Sequence, residues 1–216
     1  MEQKIRTYEG ENIDVKYDIK RCIHAEECVR GLPAVFNLKE RRWIQPDNGD
    51  VDLLAEVVTH CPTGALHFER KDGGALESTP TTNTITLDEN GPLYIRGQIV
   101  LMDVYGEVIL EDTRMAMCRC GASKNKPLCD DEHAKISFKA SGTMAVREDE
   151  EGVDVGGKLI LEPEQNGPMH IVGNFEVIGS DGAVLYKGKE EWFCRCGGSS
   201  NKPFCDNTHR TNGFEG

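Results

Sequence analysis

The chain has 216 residues, enough for one large domain or two to three small ones, and 38% of them are hydrophobic. Its net charge of −12 repels phosphate backbones, so nucleic acid is excluded as an expected partner. No run approaches the roughly 18 apolar residues that cross a bilayer. Residues 1–20 are charged throughout, with no apolar signal region and many acidic groups where an import sequence would need few. A cytoplasmic, reducing setting and no membrane association are therefore expected.

In chain order, a short helix is expected near Ala25 to Arg30. A longer one is expected from Val51 to His60, with apolar residues at Val51, Leu53, Leu54, Val57 and Val58 on one face. Residues 71–83 are rich in Gly, Thr, Ser and Pro and read as a linker after a first domain, 1–70. Beyond it come short β-like runs: Thr84 to Leu87, Leu93 to Ile95, Ile99 to Leu101 and Val108 to Leu110, with a turn at Gly106. Adding 76 to these positions gives a second set: Ile160-Leu161, Met169 to Val172, Phe175 to Ile178 and Val184 to Tyr186, with the turn at Gly182. Asn90-Gly91-Pro92 maps onto Asn166-Gly167-Pro168, and Phe138 onto Phe214. One uninterrupted offset over some fifty residues marks tandem repeats, placed at 84–150 and 151–216. The acidic run Asp149-Glu150-Glu151 reads as a solvated turn.

The nine cysteines fall in three groups of three. An odd number cannot pair fully within one chain, and in a reducing compartment clustered cysteines point to metal or redox chemistry. Two groups share the offset of 76. Cys118, Cys120, Cys129 and His133 form C-x-C-x8-C-x3-H, and Cys194, Cys196, Cys205 and His209 repeat it. Three thiolates and an imidazole suit a tetrahedral metal ion such as zinc, or an iron–sulfur cluster. Cysteine and histidine four apart share a helix face, while C-x-C turns two thiolates one way. This spacing supplies two ligand pairs, which is what a two-iron cluster needs.

The stretch from Cys118 to His133, and its copy from Cys194 to His209 with Ser199, Pro203 and Asp206, resembles the CDGSH iron–sulfur family, the mitoNEET relatives. Gly-Ser of the family tetrapeptide is replaced by Asp131-Glu132 in one copy and by Asn207-Thr208 in the other. The resemblance implies one [2Fe–2S] cluster per repeat. The inner iron would be held by Cys118 and Cys120, or Cys194 and Cys196, and the outer iron by Cys129 and His133, or Cys205 and His209. Members with one motif form intertwined β-rich homodimers, so two motifs imply a monomer with an internal pseudo-twofold dimer. A neutral imidazole in place of a thiolate raises the potential and offers a ligand that acid can detach. Redox coupled to proton uptake and acid-promoted cluster loss are expected. Arg119, Lys124, Lys126, Arg195 and Lys202 either offset cluster charge or are solvated.

The third group is Cys22, Cys28 and Cys61-Pro62, a C-x5-C…C-P pattern. A four-iron run has C-x2-C-x2-C with a distant Cys-Pro, and here Ala25 takes the middle position. The segment Cys22 to Phe68, with Arg42-Trp43-Ile44 and Cys61-Pro62-Thr63-Gly64-Ala65, resembles the divergent branch of single-cluster bacterial ferredoxins. Three cysteines fit [3Fe–4S]. A [4Fe–4S] cluster needs water, His24 or a carboxylate as its fourth ligand, and a cluster-free remnant is the alternative.

No nucleophile triad, phosphate loop or carboxylate pair occurs, so no enzymatic activity is expected. The expected class is α+β, a ferredoxin-like domain before two fused β-rich repeats. Electron transfer to a redox partner protein is the leading function. Donation of [2Fe–2S] units to an apo-protein acceptor, or redox and pH sensing, is the alternative.

Overall fold

The computed structural model describes residues 4–154 and 156–216. The chain divides into two units, Met1–Ser78 and Thr79–Gly216. The structure is mostly β with few helices, and no helix among the described residues is long and apolar enough to cross a membrane.

In the first unit β1 (Ile5–Tyr8), β2 (Ile13–Asp18) and β3 (Leu66–Arg70) form an antiparallel sheet in that order. Alternation in β2 buries Ile13, Val15 and Tyr17 on one face. Against them pack Leu54, Ala55, Val57 and Val58 of α2 (Val51–Thr59). Asp50 starts this helix, its carboxylate accepting the Leu53 N–H at 3.0 Å. The short helix α1 spans Glu27–Gly31 and starts later than the sequence suggests. His24 and Glu26 hold φ of 56° and 64°, so the turn before it is left-handed.

The second unit holds β4 (Thr84–Leu87), β5 (Leu93–Met102), β6 (Val108–Met117), β7 (Lys158–Pro163), β8 (Met169–Ile178) and β9 (Val184–Phe193). The runs at 93–95 and 99–101, read above as separate, are one strand with a bulge. Gly97 and Gln98 together oppose Thr113, and Gly173 and Asn174 together oppose Lys189. Gly97 is required there: a Cβ would lie 2.0 Å from Asn83 Oδ1.

Hairpin pairing joins β5 to β6 and β8 to β9, and β4 and β7 each pair antiparallel with the strand that follows. The other edges cross between repeats. β4 runs parallel to β8, with Ile85 opposite Val177, and β7 runs parallel to β5, with Leu161 opposite Leu101. These two registers are related by the same offset of 76. A single core forms from both repeats, including Ile85, Ile95, Leu101, Met115, Leu161, Ile171, Phe175 and Phe193.

Two details depart from the sequence reading. Asn83, the last residue of the expected linker, is fully buried in the second unit. Its amide donates to Gly157 O at 3.0 Å and Asn174 O at 2.8 Å and accepts from Gln98 N at 3.0 Å. The acidic run is not a free solvated turn but lines the edge of β9. Asp149 accepts from Lys187 N at 2.9 Å, and Glu150 accepts from Tyr186 Oη at 2.6 Å and Lys189 N at 3.0 Å.

Candidate metal centres

In the first repeat, β6 ends at Met117 and delivers Cys118 directly to the site. Cys118 N donates to Pro127 O at 2.9 Å, and Cys129 N donates to Ala116 O at 2.9 Å. The second copy repeats this after β9, Cys194 N to Pro203 O at 2.8 Å and Cys205 N to Trp192 O at 2.8 Å. The intervening loop is braced from within. Ser123 Oγ donates to Leu128 O at 2.6 Å, and Ser199 Oγ to Phe204 O at 2.7 Å. Asp130 accepts from Lys124 N and Glu132 N, at 2.8 and 3.2 Å. Asp206 does the same for Ser200 N and Thr208 N, at 2.9 and 3.0 Å. The motif's serine and aspartate are therefore loop braces in this chain.

The substituted tetrapeptide positions have a backbone explanation. Asp131 and Asn207 both sit at φ 68°, in the left-handed region. Asp and Asn are the side-chain-bearing residues that tolerate it best. This conformation aims Asp131 N at Cys129 Sγ (3.4 Å) and Asn207 N at Cys205 Sγ (3.3 Å).

Three of the four expected ligand pairs come together, and His209 of the fourth turns instead to a backbone carbonyl. Cys118 and Cys120 have their Sγ atoms 3.6 Å apart, and Cys194 and Cys196 3.7 Å apart. Cys129 Sγ lies 3.4 Å from Nδ1 of His133, which is carried on the single-turn helix α3 (Glu132–Lys135). His209 sits on a 3-10 turn, Thr208–Arg210, and its Nδ1 lies 2.8 Å from Asn166 O. Cys118, Cys129 and Cys194 are buried, while Cys120, Cys196 and Cys205 are partly exposed. The two C-x-C loops also meet: Cys120 and Cys196 form an antiparallel β-bridge. Gly121 and Gly197 allow it, since a Cβ on either would fall within 2.7 Å of the opposite cysteine's carbonyl oxygen.

Electrostatics fit a metal in place of protons. Burial pushes Cys129 up to about 12 and Cys194 up to about 11, and raises Cys205 as well. A hydrogen bond from Cys120 lowers Cys118 to about 6, aided by the Ser123 and Gly121 N–H groups and opposed by burial, and Cys120 itself is raised. The raised thiols of Cys129, Cys194 and Cys205 keep their protons unless a cation displaces them, and metal binding does so.

In the first unit, Cys22, Cys28 and Cys61 all line one cavity of about 180 Å³, together with Tyr17, His24 and Trp43. Burial, then the charge of Cys61, pushes Cys28 up to about 11. His24 is on the wall but exposed. Among the described residues, no three Cys, His, Asp or Glu groups converge on one point as around a single ion. The thiols ring a space or stand in pairs.

Soft donors on a β-rich scaffold, three pairs of them in contact and three thiols around a cavity, suit a metal or iron–sulfur protein. A model described as "Divergent 4Fe-4S mono-cluster" matches residues 8–71, and one described as "Iron-binding zinc finger CDGSH type" matches 90–134 and again 166–210. The chain is 46% identical over 66 residues to "Uncharacterized protein YjdI" of Escherichia coli strain K12, covering 31% of this chain and 87% of that protein. The O157:H7 protein of the same name matches equally. No solved structure matches. The chain carries two CDGSH-type iron-binding domains in tandem behind a divergent 4Fe-4S mono-cluster domain.

Proposed function

We propose that this chain is an electron-transfer protein with three clusters and no substrate chemistry of its own. Each repeat would hold one [2Fe–2S] cluster through Cys118, Cys120, Cys129 and His133, or Cys194, Cys196, Cys205 and His209. Cys22, Cys28 and Cys61 would hold a [3Fe–4S] or [4Fe–4S] cluster. Bound clusters supply one-electron redox chemistry. The residues of the chain ligate them, exclude water and set their charge.

The observation that carries this reading is the pairing of Cys118 with Cys120, Cys194 with Cys196 and Cys129 with His133, rather than four ligands around a point. A two-iron unit takes two protein ligands per iron. The exchanged strands β4 and β7, with registers related by 76 residues, support a fused pseudo-twofold dimer within one monomer. The net charge of −12 suits docking on a basic redox partner.

Iron and sulfide quantification with electron paramagnetic resonance, on anaerobically purified protein, tests this. About seven or eight irons per chain are expected, against about four if only the repeats load. A colourless protein containing zinc would refute it.

A second reading, donation of the second repeat's cluster, draws on one asymmetry. Cys205 is partly exposed where Cys129 is buried, and His209 Nδ1 already has the Asn166 carbonyl as partner. Transfer to an apo-ferredoxin acceptor would support this reading, and reversible reduction with clusters retained would support the relay.

A further inference from the structure

The loop Cys61-Pro62-Thr63-Gly64-Ala65 links α2 to β3 and is pinned at both ends. Cys61 N donates to Val58 O at 3.1 Å, and Asp18 N donates to Ala65 O at 2.8 Å. Its middle is held by the buried Arg21, whose Nη2 donates to Thr63 O at 2.7 Å. Thr63 itself is 3% exposed and lines the same cavity as Cys22, Cys28 and Cys61.

Residue spacing assigns this threonine no role, but its hydroxyl has two contacts among the described residues. Oγ1 accepts from Ala65 N at 3.1 Å and lies 3.5 Å from Cys61 Sγ. A hydroxyl has one proton and two lone pairs. The Ala65 N–H takes a lone pair, which leaves the proton for the sulfur. Cysteine binds metal as a thiolate, with no proton of its own. With Cys61 as a ligand, Thr63 is therefore the donor of this pair. The serines of the two repeats are used differently, since Ser123 and Ser199 direct their protons at the Leu128 and Phe204 carbonyls.

We propose that Thr63 is a positioning residue for the first unit's cluster: its hydroxyl donates to Cys61 Sγ, orients that sulfur at the cavity and raises the cluster's reduction potential. Reduction adds one electron from an external reductant, with no bond made or broken, and leaves the cluster more negative. A hydrogen bond to a ligand sulfur stabilises that product more than the oxidised form. The proposal rests on the reading that Cys22, Cys28 and Cys61 hold a cluster. A parent chain with about four irons, all in the repeats, would fail that reading before Thr63 is changed and would remove the proposal with it.

The alternative is a loop brace, in which Thr63 serves only the Ala65 N–H. Thr63→Val keeps the shape and removes both bonds, and Thr63→Ser keeps both. Each full-length variant, loaded with iron anaerobically, is titrated with dithionite under electron paramagnetic resonance, which separates the first unit's cluster from the two-iron units by its relaxation. Exchange into deuterium oxide with electron–nuclear double resonance then detects exchangeable hydrogens coupled to that cluster. Thr63→Val should shift its reduction equilibrium about tenfold toward oxidised, ~59 mV for one electron, and lose one coupled deuteron. Thr63→Ser should stay within about threefold of the parent and keep the deuteron. A brace alone would lower urea stability in Thr63→Val and move neither readout. A shift below about threefold in Thr63→Val, an unchanged deuteron coupling, or an equal shift in Thr63→Ser would overturn the proposal. Should Thr63→Val not load its cluster, Thr63→Ser carries the test: a retained deuteron with a potential within about threefold of the parent supports the proposal, and loss of either overturns it.

Discussion

Gly121→Ala and Gly106→Ala form a matched pair, because both glycines have φ of 83°. An alanine in that left-handed conformation costs about 1–2 kcal/mol at either site. The surroundings differ. At Gly106 a new Cβ meets nothing within 4 Å, whereas at Gly121 it would lie 2.7 Å from Cys196 O and 3.0 Å from its carbonyl carbon. Backbone atoms cannot step aside as a flexible side chain can, so overpacking adds about 1–3 kcal/mol. The expected losses are thus about 1 kcal/mol for Gly106→Ala and about 3 kcal/mol for Gly121→Ala. At about 2–4 °C per kcal/mol for a unit near this size, melting should fall by roughly 3 °C and roughly 10 °C. Scanning calorimetry of the iron-loaded full chain, with visible absorbance followed in parallel, measures both. Equal decreases would mean that the two C-x-C loops do not touch, and the reasoning about the bridge would fail.

Asn83→Ala removes three hydrogen bonds made by a fully buried side chain, which should cost about 3 kcal/mol in urea unfolding; a loss under about 0.5 kcal/mol would contradict its bridging role. On the proposed two-iron reading, His133→Cys and His209→Cys exchange an acid-detachable imidazole for a thiolate, so visible absorbance at pH 5 should decay more slowly than in the parent. The Lys71 ammonium, 2.8 Å away, holds the Asp14 carboxyl below its usual range. A carboxyl lowered on folding stabilises the protein fully above the ordinary value of about 4, and this is lost as pH falls through the folded value. Asp14→Asn should therefore lower urea stability at pH 7 and leave it unchanged near pH 2.

The tandem C-x-C-x8-C-x3-H motif, the repeat and the helix over Val51–Thr59 were legible from residue spacing, because each depends on neighbours a few positions apart or on a constant offset. Asp131 and Asn207 illustrate a local rule hidden behind a motif mismatch. The family's glycine is missing, yet both replacements tolerate the left-handed backbone that aims an N–H at the outer cysteine. Burial of Arg119 and Arg195 had no local signal, since arginine in a loop between cysteines reads equally well as solvated.

What the sequence determined by itself is the donor set: three thiols and one imidazole, in duplicate, with three further thiols ahead of them. Only the tertiary structure decided that β4 and β7 pair with the opposite repeat's strands, that Cys120 lies against Cys196, and that Arg119 and Arg195 are buried. The reason is physical. Ligand spacing is set by a few covalent bonds and local dihedrals, whereas strand exchange and the meeting of the two C-x-C loops arise from contacts some 60 to 92 residues apart, which the shared core selects.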